Sequence, residues 1–322
     1  MLNPKLYLTF DVEDFINEGS IKAIDYILRL LDKHHQKAIF FVTGHMAEKL
    51  QDFPKIIQML GKHEIGYHST SHSVHPGIFE YTDIEDYQRA YQISLDREVA
   101  HINPLSGAIE GRGGIEMVRT IFSGKRLESF RAPGFSWSPP HLEALKQLGI
   151  KYDFSTSIAD KPVKYREITF FPLPSFIDSV SPTRFLRAIT QKEVIIMDFH
   201  PNYMVNKDWW DSIFFSGSNP SKLIGVAPRS MDCVKRKFQR LDWLLEFLNA
   251  LYKLKIIEPF DEVVHSKLEC DPAKIDLEDI YRILAKWPRE RFNYEPRYLH
   301  SHLLRFFEPC DESEISSSNS QH

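Results

Sequence analysis

Cysteine is scarce in this chain: three in 322 residues, Cys233, Cys270 and Cys310. An odd, widely spaced set forms neither a disulfide framework nor a zinc-ligand pattern, and predicts reduced thiols with a structural role. No window approaches the ~20 apolar residues of a membrane helix, so no transmembrane segment is predicted. Met1–Phe10 has no basic region followed by an apolar stretch, which predicts no signal peptide and a cytoplasmic location. Charge of one sign is lacking as well. The 40 Lys and Arg against 44 Asp and Glu give a formal net charge of −4, and without a basic stripe neither nucleic acid nor an anionic membrane surface is an expected partner. There is no internal repeat. What the chain has in plenty is apolar side chains, 43% of the total with 23 Phe and 13 Tyr. That is enough for one large core.

Lys5–Phe10 (KLYLTF) reads as a buried strand. Ser20–His34 follows with Ile21, Ile24, Ile27, Leu28 and Leu31 at helical spacing. Ala38–Val42 is a second apolar strand, Pro54–Lys62 a short helix, Ile65–His68 a third strand and Ile84–Ile102 a helix. Leu127–Arg131 is strand-like. Ser138 and Pro139 mark a helix start, with the helix running to Leu148. Tyr152–Phe154 and Val194–Phe199 are strands, and Met231–Leu251 is a long amphipathic helix. Strands alternate with helices and several are apolar on both faces. The pattern implies a parallel sheet covered on each side, in a closed or nearly closed barrel whose chemistry sits at the carboxyl ends of its strands.

Four clusters sit at such ends. Asp11, Glu13 and Asp14 follow the first strand. Three acids in four residues repel one another unless a cation or shared proton relieves them, although acids also suit a helix N-terminus. His68 and His72 stand four residues apart, so both imidazoles can reach one metal from a helical turn; His63 and His75 flank them. Arg131 leaves a strand before a Pro-Gly turn, placed to hold a carboxylate. His200 leaves the strand VIIMDF where a general acid would stand. For the histidines and the arginine, an ordinary surface or satisfied buried residue is the competing reading. Together the clusters would converge on one barrel mouth.

These motifs, in this order, resemble the polysaccharide deacetylase superfamily, the NodB-like carbohydrate esterases, over roughly Leu6 to Leu251. Thr9–Asp14 (TFDVED) looks like a DVED-type variant of the first motif, His68–His72 (HSTSH) like the second, Arg131–Pro133 like the Arg-x-Pro turn, Tyr152–Ser155 like the fourth region, and the run around His200 like the terminal catalytic histidine. The resemblance implies a deformed (β/α) barrel of about seven parallel strands over residues 1–258, with a helical C-terminal extension over 259–310 and a disordered tail over 311–322. It implies a metal-dependent hydrolase that removes an N-acetyl group from an N-acetylated sugar or polysaccharide and releases acetate. Its cofactor would be a divalent metal, Zn2+ before Co2+, Ni2+ or Mn2+.

Within that resemblance Asp11 is the base, His200 the acid, and Arg131, held by Asp153, keeps Asp11 ionised. His68 and His72 are metal ligands. Val12 interrupts the family's adjacent aspartates, so the carboxylate ligand is either Glu13, by strand alternation, or Asp14, if a turn begins at Glu13; Asp14 is the preferred reading. The expected partner is an N-acetylated sugar or oligosaccharide, with an oligomer left open. Trp137, Trp209 and Trp210 either stack on sugar or sit in the core. The rival readings are a hydrolase of a non-sugar or cyclic amide on the same fold, and a non-catalytic carbohydrate-binding protein.

Overall fold

The computed structural model describes residues 3–70, 72, 86–102, 109–110, 112–135, 137–156, 159–208, 227–260, 270–273 and 306. His75, Ser71, Trp209, Trp210, Cys310, most of the extension expected over 259–310 and the tail at 311–322 lie outside them.

The central strand β1 (Lys5–Val12) shows how the sheet divides the core. Leu6, Leu8, Phe10 and Val12 face one large apolar cluster shared with the helices, whereas Tyr7 joins a second cluster with Ile39, Phe41, Phe154, Phe171 and Phe260. Alternate residues of a strand point to opposite faces, so the second cluster is the filled inside of a curled sheet. Continuing the inward alternation from Tyr7 leads through Thr9 to Asp11.

The elements follow in βα order. After α1 (Glu18–Lys33) come β2 (Ile39–Val42), α2 (Gly44–Leu50), α3 (Pro54–Leu60), β3 (Glu64–Tyr67) and α4 (Tyr87–Val99). A small antiparallel pair, β4 (His101–Ile102) and β5 (Ile109–Glu110), leads to α5 (Gly114–Ile121) and β6 (Ser129–Phe130). Next are α6 (Pro139–Gln147), β7 (Tyr152–Thr156), β8 (Val163–Tyr165), β9 (Ile168–Pro172), β10 (Phe176–Ile177), α7 (Pro182–Gln191), β11 (Val194–Phe199), α8 (Pro201–Val205) and α9 (Met231–Lys253). The strands β12 (Glu258–Pro259) and β13 (Asp271–Pro272) close the described chain.

The sheet runs β10-β11-β1-β2-β3-β6-β7-β9-β8-β13, with β12 also pairing to β1. Every neighbouring pair is parallel except β8 with β9. This is the deformed barrel expected from the sequence, parallel through its working strands. Of the described residues after 258, Phe260 packs 4.8 Å from Tyr7 inside the barrel, and Phe306 lies against Tyr87.

Local chemistry explains the boundaries. Asn17 caps α1 by accepting from the Gly19 N–H, so the helix starts two residues ahead of the reading from apolar spacing alone. Asp86 caps α4 in the same way through the Arg89 N–H, which trims the predicted helix to Tyr87–Val99. Trp137 belongs to the core, packed 5.0 Å from Phe170. Among the described residues Cys233 and Cys270 form no disulfide. Among the described residues no helix is long and apolar enough to cross a membrane.

His63, beside Phe40, carries a pH-dependent share of stability. Burial, with Lys37, Lys125 and Lys62 nearby, pushes its imidazole down to about 4. A depressed histidine favours the neutral folded form, so its contribution is complete above the unfolded value near 6.5 and is lost as pH falls towards 4. The span is worth at most about 3 kcal/mol. Urea unfolding at pH 7.5 and pH 4 should show wild type losing more stability than His63→Leu. Equal losses would remove His63 from the account.

Candidate active site

Inward alternation delivers the acidic run. Asp11 ends the inward column of β1, and Glu13 continues on the same side just past the strand. β3 ends at Tyr67, so His68 is the first residue beyond its carboxyl end, and the following turn returns His72 beside it, with the two rings 5.0 Å apart. β6 delivers Arg131 and β11 delivers Asp198 and His200. Gly66 permits the stacking beneath: a Cβ there would meet the Phe41 ring at 2.4 Å, and that ring lies 4.4 Å from the Arg131 guanidinium carbon.

Two groups form. In the first, Glu13 Oε2 lies 2.8 Å from His72 Nε2 and 3.5 Å from His68 Nε2. His68 Nδ1 sits 2.7 Å from the Arg131 carbonyl oxygen. A carbonyl can only accept, so Nδ1 carries the proton and Nε2 presents its lone pair to the carboxylates. That buried Nε2 makes no hydrogen bond. Ligand atoms of Glu13, His68 and His72 all lie within 4.8 Å of one another. Two imidazoles and a carboxylate, one imidazole oriented from behind, fit a divalent cation of the zinc type.

The second group surrounds Asp11. Arg131 Nη1 donates to Asp11 Oδ1 at 2.7 Å and also to Asp198 Oδ1, while Nη2 donates to Thr9 Oγ1 at 3.0 Å. Thr9 passes its own proton to Asp198 Oδ1 at 2.8 Å. Asp11 Oδ2 remains towards the histidines, 3.7 Å from both His68 Nε2 and His200 Nε2. On the far side of His200, Asp178 accepts from the backbone N–H at 2.8 Å and meets Nδ1 at 2.9 Å.

Residues 2–152 match the family profile described as polysaccharide deacetylase. Over that stretch, just under half of its length, the chain is similar to the polysaccharide deacetylase family. No curated protein sequence matches it. Among solved structures it is similar to a putative polysaccharide deacetylase from Mycobacterium smegmatis, at 14% identity and a TM-score of 0.47, covering 81% of this chain and 94% of that one. A family 4 carbohydrate esterase from Bacillus anthracis is 18% identical with a TM-score of 0.37, over 78% and 83% of the two chains. A 4-alpha-glucanotransferase from Thermococcus litoralis is 10% identical with a TM-score of 0.50, covering 95% of this chain and 50% of that one.

The fold gathers Asp11, Glu13, Arg131, His68, His72 and His200, and leaves two expected residues elsewhere. Asp14 turns away: its carboxylate accepts the N–H groups of Ile16 and Asn17 at 3.1 and 2.9 Å and the Ser20 hydroxyl at 2.6 Å. It is occupied in starting α1, and Glu13 takes the place beside the imidazoles. Asp153 accepts from the Ser155 N–H at 2.7 Å, and the Ser155 hydroxyl accepts from the Ala132 N–H at 2.6 Å. It supports the Arg131 turn through Ser155, and Asp198 is the carboxylate that joins Asp11 on the guanidinium. Asp198 and Asp178 are the two residues that the motifs did not single out. Asp198 was visible only as a charge inside an otherwise apolar strand.

The electrostatics suit proton transfer. Burial raises the Asp11 carboxyl above its ordinary range against the pull of Arg131. Burial likewise acts to raise Glu13, but His72 and His68 outweigh it and hold that carboxyl far below the usual range. Burial alone would lower His200; Asp178, helped by Asp198, reverses this and keeps the imidazole protonated well above pH 6.5. Burial takes Asp153 up to about 7.

The backbone is strained at this rim. Of the eight non-glycine residues described with positive φ, four border the site: Ser69 (64°), His72 (56°), Phe135 (58°) and Asp178 (50°). Each costs of the order of 1 kcal/mol or more, and such strain persists only where surrounding contacts impose it.

Proposed function

We propose that the chain hydrolyses the N-acetyl group of an N-acetylated sugar or oligosaccharide, using a divalent cation held by Glu13, His68 and His72. The observation that carries this reading is the unpartnered lone pair of His68 Nε2, aimed at Glu13 and Asp11 and facing a buried His200–Asp178 pair. Zn2+ suits the ligand set best, with Co2+, Ni2+ or Mn2+ as substitutes.

When bound, the cation would supply Lewis acidity to the acetyl carbonyl and a lower pKa to water. Asp11 Oδ2 accepts the proton of the water that attacks the acetyl carbon, while Arg131 fixes Oδ1 and so aims the free oxygen. The Gly134 N–H, next to Arg131-Ala132-Pro133, is available to the oxyanion. His200, protonated and braced by Asp178, donates to the amide nitrogen as the C–N bond breaks. Water and the N-acetyl group give acetate and a free amine, and the proton taken by Asp11 then returns His200 to its starting state.

Elemental analysis of purified protein, combined with acetate release from N-acetylglucosamine oligomers and from simple and cyclic amides, tests this reading. One cation per chain and turnover of the oligomers are expected. Turnover of simple amides alone would move the assignment to a non-sugar hydrolase, and the absence of both cation and turnover to a non-catalytic binding protein. The ligand choice has its own test. Glu13→Gln should weaken cation binding at least tenfold, whereas Asp14→Asn should keep the cation and lose about 1 kcal/mol of stability through weaker bonds to the Ile16 and Asn17 N–H groups and the Ser20 hydroxyl. A reversed pattern would restore Asp14 as the ligand.

A further inference from the structure

We propose that Phe135 is a specificity-determining residue whose ring seats the apolar face of a pyranose beside Asp11; the proposal rests on the sugar reading above. The side chains that face the space between Asp11, Glu13 and His200 are carboxylates and imidazoles. A pyranose presents hydroxyls at its edge but C–H groups on its faces, and those faces need an apolar partner that Asp11, Glu13, Arg131 and the histidines do not offer. Aromatic rings supply large, rigid apolar area at low entropic cost.

Three observations single out Phe135. Its ring centroid lies 5.9 Å from the Arg131 guanidinium carbon, and that guanidinium holds Asp11 at 2.7 Å, so one residue separates the ring from the base. Arg131 is fully buried while Phe135 is only partly covered. The backbone at Phe135 is left-handed, and it follows Gly134 in the same region at φ 57°. Glycine adopts this conformation freely and a bulky side chain does not. Stability by itself would favour a second glycine at 135, and the Phe135 N–H bond to the Ala132 carbonyl at 2.9 Å needs no side chain. The ring is therefore held in place against a conformational cost.

Two other aromatics nearby are accounted for. Trp137 is buried against Phe170 and Tyr165, and Phe15 packs on His45 at 5.2 Å.

The test compares Phe135→Tyr, Phe135→Ala and Phe135→Gly in the full chain, with an N-acetylglucosamine oligomer as substrate and cation content and melting temperature measured alongside. Alanine and glycine should both raise KM about tenfold, which is 1.4 kcal/mol, with kcat changed far less and one cation per chain retained. Tyrosine keeps the ring and should stay within twofold of the wild-type KM. The glycine variant should melt above the alanine variant, because it alone relieves the positive φ. KM within twofold of wild type in both truncations overturns the proposal, as does a rise in the alanine variant alone, which would assign the effect to the backbone. A wild-type enzyme that releases no acetate from any oligomer overturns the sugar reading first and this proposal with it.

Discussion

Asp11→Asn should keep its cation and lose roughly a thousandfold in kcat, within the range that a positioned base contributes. The amide is isosteric and its oxygen can still accept from Arg131 Nη1, but the group facing His68 and His200 can no longer take a proton. Stability should hold. The buried set of Asp11 and Asp198 around one Arg131 carries two negative charges against one positive, so removing one acid improves the local balance. Steady-state kinetics, elemental analysis and a thermal melt on one preparation measure all three. An unchanged kcat would show that the base is a different group.

Arg131→Met should have the largest effect on stability, about 3–5 kcal/mol. The guanidinium is fully buried and is the cation between two buried carboxylates and the Thr9 hydroxyl. Without it Asp11 and Asp198 face each other unscreened on top of the Phe41 ring. Urea denaturation measures the loss, and the double variant Arg131→Met/Asp198→Asn should recover part of it, because one of the stranded charges is gone. A loss below about 1 kcal/mol in the single variant would mean that water reaches these acids, contrary to their burial.

Much of the architecture could be read from side-chain periodicity. Continuous apolar runs such as KLYLTF and VIIMDF announce strands covered on both faces, and each motif falls just beyond such a strand. The residues that the geometry places differently from the sequence reading are those whose surroundings depend on a partner distant in the chain. Glu13 and Asp14 are neighbours of like charge, and choosing between them required knowing that α1 begins at Glu18 and draws Asp14 into its first turn. Strand alternation alone pointed to Glu13, which lies beside His68 and His72. Asp198 sits one strand across from Thr9, a relation set by sheet register and absent from local pattern. Asp178 lies in a segment with no motif, and meets His200 only because β10 pairs with β11. Asp153 was read as the partner of Arg131; its neighbour Ser155 intervenes.

Position 131 ties the two halves of the centre together through different atoms. Its side chain grips Asp11, the proposed base, while its carbonyl oxygen, 2.7 Å from His68 Nδ1, leaves Nε2 of that imidazole as the nitrogen facing Glu13 and the proposed ion. Mutagenesis can sever only the first tie, since the second travels with the main chain whatever residue is installed. Replacements at 131 that still fold should therefore spare ion uptake while crippling turnover, and a scan of side chains will credit this position with only half of what it does.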